Sequence, residues 1–348
     1  MGQGMGSHCF FIGFGRMRRL DVRARFHLLT FLRNVKWAFA RNGFEERLAL
    51  EQRLEKLERR VELTRPDSSE YRDLLLFEEI LNCAEPRFKD EIEYCRRHGR
   101  LDVFPYEKIR NFPKVEVYFD AEKQLPYVLH DGKRLYYPAQ WGKGSITFSY
   151  TNAVAVEGIL GDGCLEKAPH NYLDARFPVK EGAVVCDFGA AEGLLGLHFA
   201  EQSSRLLIGE CDEKWQAPLR ATFEPWKQKT IIVSGALGMG SQASGEGEMQ
   251  LLLENEAANI SNAPFFIKFD IEGAERFAIQ EAAFFFQHHP DVTVACAAYH
   301  RQDDGMFLEK LFRRWGYETA FSDGAMLFLL DHLVFPYFRP GILHAKKG

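Results

Sequence analysis

The sequence predicts an α/β protein with a mostly parallel sheet, preceded by a helical N-terminal extension and a small β element. From about Phe177 onward, short apolar runs alternate with helical patterns, which indicates βαβ units in a sheet covered on both faces. Before Gly99 the pattern is helical, and an Asp-Gly pair between alternating runs follows it. The chain is 46% hydrophobic and 27% charged, and its 348 residues are enough to bury a core.

Residues 1–99 are predicted to form the helical N-terminal region. Residues 16–47 are rich in arginine with interleaved apolar side chains, so they predict a basic amphipathic helix. Such a helix can lie on an anionic membrane surface or pack its apolar face on the rest of the protein. Leu50, Leu54, Leu57 and Val61 then form a seam of under two heptads. A short homodimer contact and packing within one chain both remain open.

The bulk composition limits the compartment and the partners. No run approaches the roughly 18 apolar residues of a membrane span, and the net charge of -5 gives no global field for nucleic acid. The seven cysteines are scattered, and none lies in a CxxC or at zinc-ligand spacing, so no metal site is predicted. We expect a cytoplasmic protein, with peripheral contact at the inner membrane face through the basic helix.

Residues 100–167 are predicted to form a small β-containing connecting or substrate region, with a hairpin turning at Asp131-Gly132. Residues 168–335 are predicted to form the ligand-binding α/β domain, and residues 336–348 a C-terminal tail. The predicted strands of that domain are AVVCDFG, RLLIGEC, KTIIVSG, FFIKFD, VTVACAAYH and AMLFLLD. Ligands of such sheets bind beyond the carboxyl ends of the strands, where the strand order reverses.

The turn after the first of these strands reads DFGAAEG, from Asp187 to Gly193. Gly189 allows a sharp turn, and small residues at Ala190 and Ala191 let a ligand approach the backbone and the N–H groups of the following helix. A dinucleotide fingerprint would have glycine where Ala191 stands. Glu210 follows the second strand, where a carboxylate can accept hydrogen bonds from ribose hydroxyls.

Carboxylates at both strand ends are poor neighbours for a pyrophosphate and good ones for a cationic nucleoside, a description that S-adenosylmethionine fits. The predicted cofactor-binding residues of this first region are Asp187, Gly189, Ala190, Ala191, Glu192, Gly193 and Glu210.

The second informative stretch is FFIKFDIEGAERF, from Phe265 to Phe277. Asp270 and Glu272 follow an apolar strand, and such clustered carboxylates can act as a general base or bind a divalent cation. Glu275 can equally serve the first turn of a helix through the helix dipole. The predicted catalytic residues are Asp270, Glu272 and His300, the last of which follows the fifth strand.

Together, DFGAAEG and IKFDIEGAE resemble the FkbM-type S-adenosylmethionine-dependent methyltransferases, whose strand-four signature is close to K-x-D-x-E-G-x-E. The matching positions are Lys268, Asp270, Glu272, Gly273 and Glu275. The resemblance covers about residues 168–330. It implies a Rossmann-like class I methyltransferase core and S-adenosylmethionine as the cofactor.

The same resemblance implies methylation of a hydroxyl on a small-molecule or glycan acceptor, such as a sugar or a secondary metabolite. It also places the adenine near the loop after the third strand, where backbone groups at Ser234 and Ala236 would serve. Asp270 completes the predicted cofactor-binding set. His170 and Tyr172, just before the first strand, are candidates to cover the cofactor.

Two other functions stay open on the sequence. A nicotinamide-dependent oxidoreductase would want the missing second glycine and a Tyr/Lys or similar hydride site. A non-catalytic, methyltransferase-like scaffold in glycan assembly would use the basic helix and the heptad segment. The carboxylates and glycines from Asp187 to Asp270 argue against the scaffold, since it has no physical need for them.

Overall fold

The computed structural model describes residues 76–83, 85–235, 248–260, 263–328 and 335–347. The predicted basic helix and heptad segment lie outside these residues, and with them the predicted membrane contact and dimer contact. The chain divides into two compact units, Met1–Ala84 with Cys95–Leu101 and Glu85–Tyr94 with Asp102–Gly348. In the first unit, residues 76–81 are helical. Across the described part of the chain, every helix is too short or too polar to span a bilayer.

The second unit contains a small antiparallel sheet of β1 (Tyr118–Asp120), β2 (Leu125–His130) and β3 (Lys133–Tyr136). The predicted hairpin is confirmed: Asp131 and Gly132 join β2 to β3 with φ of 47° and 77°. Two successive residues with positive φ give the turn whose twist matches that of the flanking strands.

Seven strands form the central sheet. Their bounds are β4 Val184–Phe188, β5 Arg205–Glu210, β6 Thr230–Ser234, β7 Phe265–Phe269, β8 Val292–Ala297, β9 Tyr317–Phe321 and β12 Ile342–Lys347. Their order in the sheet is β6-β5-β4-β7-β8-β12-β9. β12 is antiparallel to both of its neighbours, and the other six strands run parallel to one another. The predicted α/β class with a mostly parallel sheet is therefore confirmed.

Two details of the predicted organisation are wrong. The predicted tail at 336–348 contains β12, which lies inside the sheet between β8 and β9. In the described part of the AMLFLLD stretch, Ala325–Leu327 form the short β10, which pairs with β11 (Phe338–Pro340) in a separate sheet. The sixth parallel strand is β9, which pairs with β12 alone at the sheet edge. An edge strand is half-buried, so β9 has no continuous apolar run to reveal it.

Helices cover both faces of the sheet. Alternate residues of β4 enter different hydrophobic clusters: Val185 packs with Leu195 and Ile208 on one face, whereas Val184 and Cys186 pack on the other. The helices are α1 Lys89–His98, α2 Lys143–Thr151, α3 Leu194–His198, α4 Gln216–Phe223, α5 Glu248–Asn259, α6 Glu275–Glu281, α7 Ala283–His288 and α8 Asp304–Arg314, with a π-helical segment Asn152–Glu157 after α2.

The strand order reverses beside β4, because β5 pairs with one of its edges and β7 with the other. The cleft at the carboxyl ends of β4 and β7 is therefore the topological switch point, the position at which doubly wound sheets bind ligands.

Candidate active site

The loop after β4 contacts the end of β7 through its first glycine. Gly189 has a φ of +76°, and a Cβ at this position would lie 1.7 Å from the carbonyl oxygen of Asp270. The sharp turn expected at Gly189 is thus present, and glycine is also required because two backbones touch there. Gly193 has a φ of +82° and packs against Leu219 and Phe223 of α4. The glycines shape the loop and attach it to its neighbours.

We expect Gly189→Ala to destabilise the fold by about 4 kcal/mol or more, because the new methyl group would displace the end of β7. Gly182→Ala is the matched control: Gly182 has a similar φ of +73°, and its Cβ would meet nothing within 4 Å. The control should lose only about 1 kcal/mol from the positive φ. Urea unfolding of both variants measures the difference. Equal losses would show that the contact with Asp270 is unimportant.

Asp187 lies beneath the loop rather than in the cleft. Its side chain is 1% exposed, its Oδ1 lies 3.1 Å from Lys268 Nζ, and its Oδ2 accepts a hydrogen bond of 3.0 Å from Gly196 N. Lys268 also donates to the Gly189 carbonyl oxygen at 2.6 Å. The expectation that Asp187 faces a cationic ligand is corrected, because Lys268 already neutralises it. The pair supports the loop from below.

Glu210, at the end of β5, does contact the loop from the cleft side. Its Oε2 accepts a hydrogen bond of 2.8 Å from Ala191 N, and its Oε1 accepts one of 2.8 Å from Asp212 N. Ala191 has a φ of 46°, an uncommon value for a residue with a side chain, and the bond to Glu210 helps to hold it. A carboxylate has about four acceptor positions, so two remain for a ligand.

The remaining predicted cofactor residues differ in their surroundings. Glu192 is buried in the loop, and burial raises the pKa of its carboxyl to about 7. Ser234 is exposed at the end of β6. Ala236 lies outside the described residues. Ala190 is buried, whereas Ala191 is partly exposed. At the carboxyl edge of β4 and β5, the loop therefore presents the partly exposed Gly189 and Ala191, and the Glu210 carboxylate lies beside Ala191.

Asp270 accepts hydrogen bonds from two tyrosine hydroxyls at the end of β7. Tyr172 donates to its Oδ2 at 2.8 Å, and Tyr299 donates to its Oδ1 at 3.0 Å. Burial alone would raise the pKa of Asp270, but the bond from His170 and the charges of Lys268 and His300 outweigh it and hold the pKa well below its usual range. The predicted role of Asp270 as a general base is therefore disfavoured, because a carboxylate whose pKa is this low takes up a proton poorly.

His300 lies between two predicted acids and a third carboxylate. Its Nε2 is 3.5 Å from Asp270 Oδ1 and 3.7 Å from Glu272 Oε2. Its Nδ1 is 3.1 Å from Oε1 of the fully buried Glu275. Burial lowers the pKa of His300, but the carboxylates of Glu275 and Asp270 outweigh burial and raise it. The structure thus brings together all three predicted catalytic residues.

Glu275 has the helix-start role considered for it. Its Oε1 accepts from Ile271 N at 2.8 Å and Gly273 N at 3.3 Å, which fixes the turn before α6. The same oxygen lies 3.1 Å from His300 Nδ1, so one buried carboxylate both fixes the turn and places its charge beside the histidine. Glu272 has a φ of 55° in this turn, and its side chain is 75% exposed at the cleft mouth.

A second histidine network adds residues that the sequence argument missed. His170 Nε2 lies 2.9 Å from the Tyr172 hydroxyl and 3.0 Å from the Tyr299 hydroxyl, while its Nδ1 lies 2.9 Å from Glu157 Oε2. Burial lowers the pKa of His170, but Glu157 and Asp270 together raise it to about 9. His170 and Tyr172, predicted to cover a cofactor, are buried and brace Asp270.

Tyr299 could have been found, since it directly precedes the predicted His300. Glu157 gives no sequence signal, because it ends the π-helical segment far from the motifs. Among the described residues, Asp270, Glu275 and His300 also offer ligand atoms within 4.8 Å of one another, so they could hold a metal ion.

Comparisons with known proteins leave the family open. No family model matches the sequence, and no curated protein matches it either. Among solved structures, the chain is similar to a precorrin-6y C5,15-methyltransferase from Geobacter metallireducens, at 11% identity over 50% of this chain and 84% of that one, with a TM-score of 0.33.

Two further solved structures are similarly distant. A candidate methyltransferase from Streptococcus mutans in complex with SAH is 9% identical over 49% of this chain and 91% of that one, with a TM-score of 0.33. An rRNA methylase from Streptococcus thermophilus is 11% identical over 49% and 88%, with a TM-score of 0.28. The function is therefore inferred from the geometry of the site.

Proposed function

We propose that this protein is an S-adenosylmethionine-dependent O-methyltransferase whose acceptor is the hydroxyl of a sugar, a glycan or a secondary metabolite. One observation carries the proposal: the Gly189 loop touches the backbone of Asp270 at the switch point. Because of this contact, two groups lie at the same end of the strands. One is the loop, which Glu210 supports. The other is the His300 cluster, which consists of His300, Asp270, Glu272 and Glu275. A methyl donor and an ionisable proton acceptor would therefore share one cleft.

The residues of the loop fit the proposed cofactor. Glu210 keeps acceptor positions for ribose hydroxyls, Ala191 is small, and the ionised Asp270 offers negative charge to a cation. Ser234 and Ala236 would serve the adenine as the family resemblance implies. When bound, S-adenosylmethionine supplies an electrophilic methyl group. The acidic lining would be unfavourable for the pyrophosphate of a dinucleotide.

The His300 cluster fits the acceptor side of the reaction. A hydroxyl that becomes an ether must lose its proton, and His300 Nε2 is the nitrogen directed towards Asp270 and Glu272. Glu275 Oε1 lies 3.1 Å from the other ring nitrogen, where its charge favours the protonated imidazole. Asp270 stays ionised between the two tyrosines and stabilises the imidazolium that forms.

Two observations disfavour the nicotinamide oxidoreductase. The dinucleotide-binding order is 3-2-1-4-5-6, whereas β12 separates the fifth and sixth parallel strands here. A hydride site would use a Tyr/Lys pair, and Lys268 Nζ does lie 5.4 Å from the centroid of the Tyr172 ring. However, burial and Asp270 raise the pKa of Tyr172 well above its ordinary value, the wrong direction for proton exchange near neutral pH.

The scaffold is disfavoured by the cost of the site. Buried charges such as Asp187, Lys268 and Glu275 require desolvation that their pairing only partly offsets. A purely structural module gains nothing from clustering them at a ligand-binding edge.

The direct test of the function is methyl transfer from S-adenosylmethionine to nucleotide sugars, glycan fractions and cell extracts, detected by mass. We expect a product heavier by one CH₂ group that forms only with protein and donor together. Reactions without protein and without donor serve as the blanks. Hydrolysis of the donor without any methylated product, or the same product from either blank, would contradict the proposal.

The role of His300 predicts a specific pH profile. Because Glu275 and Asp270 raise the pKa of His300, the free base forms only above the ordinary value of 6.5, so kcat/KM should rise with pH through a limb above 6.5. Glu275→Gln removes a charge that raises this pKa, so the limb should move to lower pH. His300→Gln should abolish the limb. An unchanged limb in His300→Gln would assign the proton transfer to another group.

A further inference from the structure

A second group of ligating side chains lies away from the candidate active site, where the β2–β3 hairpin meets α3. His130 ends β2, Asp131 begins the turn, and His198 ends α3. We call these three residues the hairpin cluster. One ligand atom from each lies within 4.8 Å of the others. The cluster cannot be recognised from sequence spacing, because β4 and the Asp187–Gly193 loop lie between Asp131 and His198 in the chain.

His130 is the residue that demands an explanation. It is 6% exposed, and its buried Nε2 has no hydrogen-bond partner among the described residues. Its Nδ1 lies 3.0 Å from the Tyr150 hydroxyl. A buried nitrogen without a partner costs free energy, and such groups are rare in native proteins. If Nδ1 donates its proton to Tyr150, Nε2 presents a bare lone pair, the arrangement found in metal-bound histidines.

The positions of the other two donors suit a small cation. His130 Nε2 and Asp131 Oδ2 are 3.5 Å apart, close to the ~3.4 Å edge of a tetrahedron with bonds of about 2.1 Å. The Asp131 carboxylate is 68% exposed, and His198 is partly exposed, so both can move to shorten the two distances that involve His198. Two imidazoles with one carboxylate favour a transition metal over Mg²⁺ or Ca²⁺, which prefer oxygen.

We propose that His130, Asp131 and His198 bind one divalent transition-metal ion, Zn²⁺ by preference, with water in the fourth position. The ion would join the small sheet to α3, the helix that starts at Leu194 directly after the Asp187–Gly193 loop. Lys133 already links the same elements by donating to the Leu197 carbonyl oxygen at 3.3 Å. The Lys133 charge opposes a cation, and the Asp131 carboxylate offsets it. The ion would link two elements of the fold, and its binding does not depend on the proposed methyl transfer.

The test is a titration of full-length, untagged protein, first stripped with a chelator, with ZnCl₂ in a calorimeter. We expect one ion whose affinity falls at least about tenfold in His198→Gln and in Asp131→Asn. Zn²⁺ should raise the melting temperature of the wild type and leave that of His198→Gln unchanged. His288→Gln removes an exposed histidine from α7 and should bind as the wild type does.

Three outcomes would overturn the site. The first is no saturable binding, and the second is binding that neither His198→Gln nor Asp131→Asn weakens. The third is binding lost in Glu275→Gln, which would place the ion at the Asp270, Glu275 and His300 cluster instead. Because Asp131, which is exposed, and His198, which is partly exposed, are substituted separately, misfolding of a single variant would leave the other to decide.

Discussion

Replacing Asp270 by Asn is expected to lower kcat on the order of 10³-fold, comparable to removing a preorganised charged or polar group from other active sites. The asparagine retains the shape of the side chain, but it lacks the charge that balances His170 and His300. It also offers one oxygen where two tyrosine hydroxyls now donate to two. The measurement is single-turnover methyl transfer with saturating donor.

The control for this variant is Asp291→Asn. Asp291 directly precedes β8, at the amino-terminal ends of the strands and so opposite the cleft, and it pairs with Lys180. Its substitution should leave kcat within about twofold of the wild type, as surface ion pairs contribute little. Circular dichroism and binding of S-adenosylhomocysteine should be retained in both variants. Turnover near the wild-type rate in Asp270→Asn would remove this charge from the mechanism.

Replacing Glu210 by Ala is expected to weaken S-adenosylhomocysteine binding on the order of 100-fold, since two hydrogen bonds to a charged group are lost. The Ala191 N–H would also lose its acceptor, and the loop its support. Glu210→Gln keeps the size and one acceptor oxygen, so its loss should be intermediate. Calorimetry measures all three affinities.

Glu213→Ala is the matched control for Glu210. Glu213 stands three residues further along the chain, and its side chain is exposed. The affinity of this variant should equal that of the wild type. Thermal unfolding of Glu210→Gln separates loss of a ligand contact from loss of the loop. An unchanged affinity in Glu210→Ala would remove Glu210 from the cofactor site.

The parallel core was predictable because its inner strands are buried on both faces and therefore appear as continuous apolar runs. β9 and β12 were not, for different reasons. β9 is a half-buried edge strand, and β12 returns from the end of the chain to insert between β8 and β9. No local sequence pattern predicts where β12 inserts, because the strands that bury it are distant in sequence.

The site residues were predictable where they follow strands, as Glu210, Asp270 and His300 do. Their roles were not, because a role depends on partners that folding brings near. Asp187 was expected to face a ligand, yet Lys268 pairs with it below the loop. Asp270 was expected to act as a base, yet its hydrogen bonds make it a stable anion. Glu157 has no strand or motif to mark it.

The central claim, that the switch-point cleft binds the methyl donor, is tested most directly by calorimetry of the wild-type protein with S-adenosylmethionine, S-adenosylhomocysteine and NAD. The arrangement of Glu210, Ala191 and Glu192 predicts saturable binding of one S-adenosylhomocysteine per chain and no measurable binding of NAD. Binding of NAD alone, or of none of the three ligands, would contradict it.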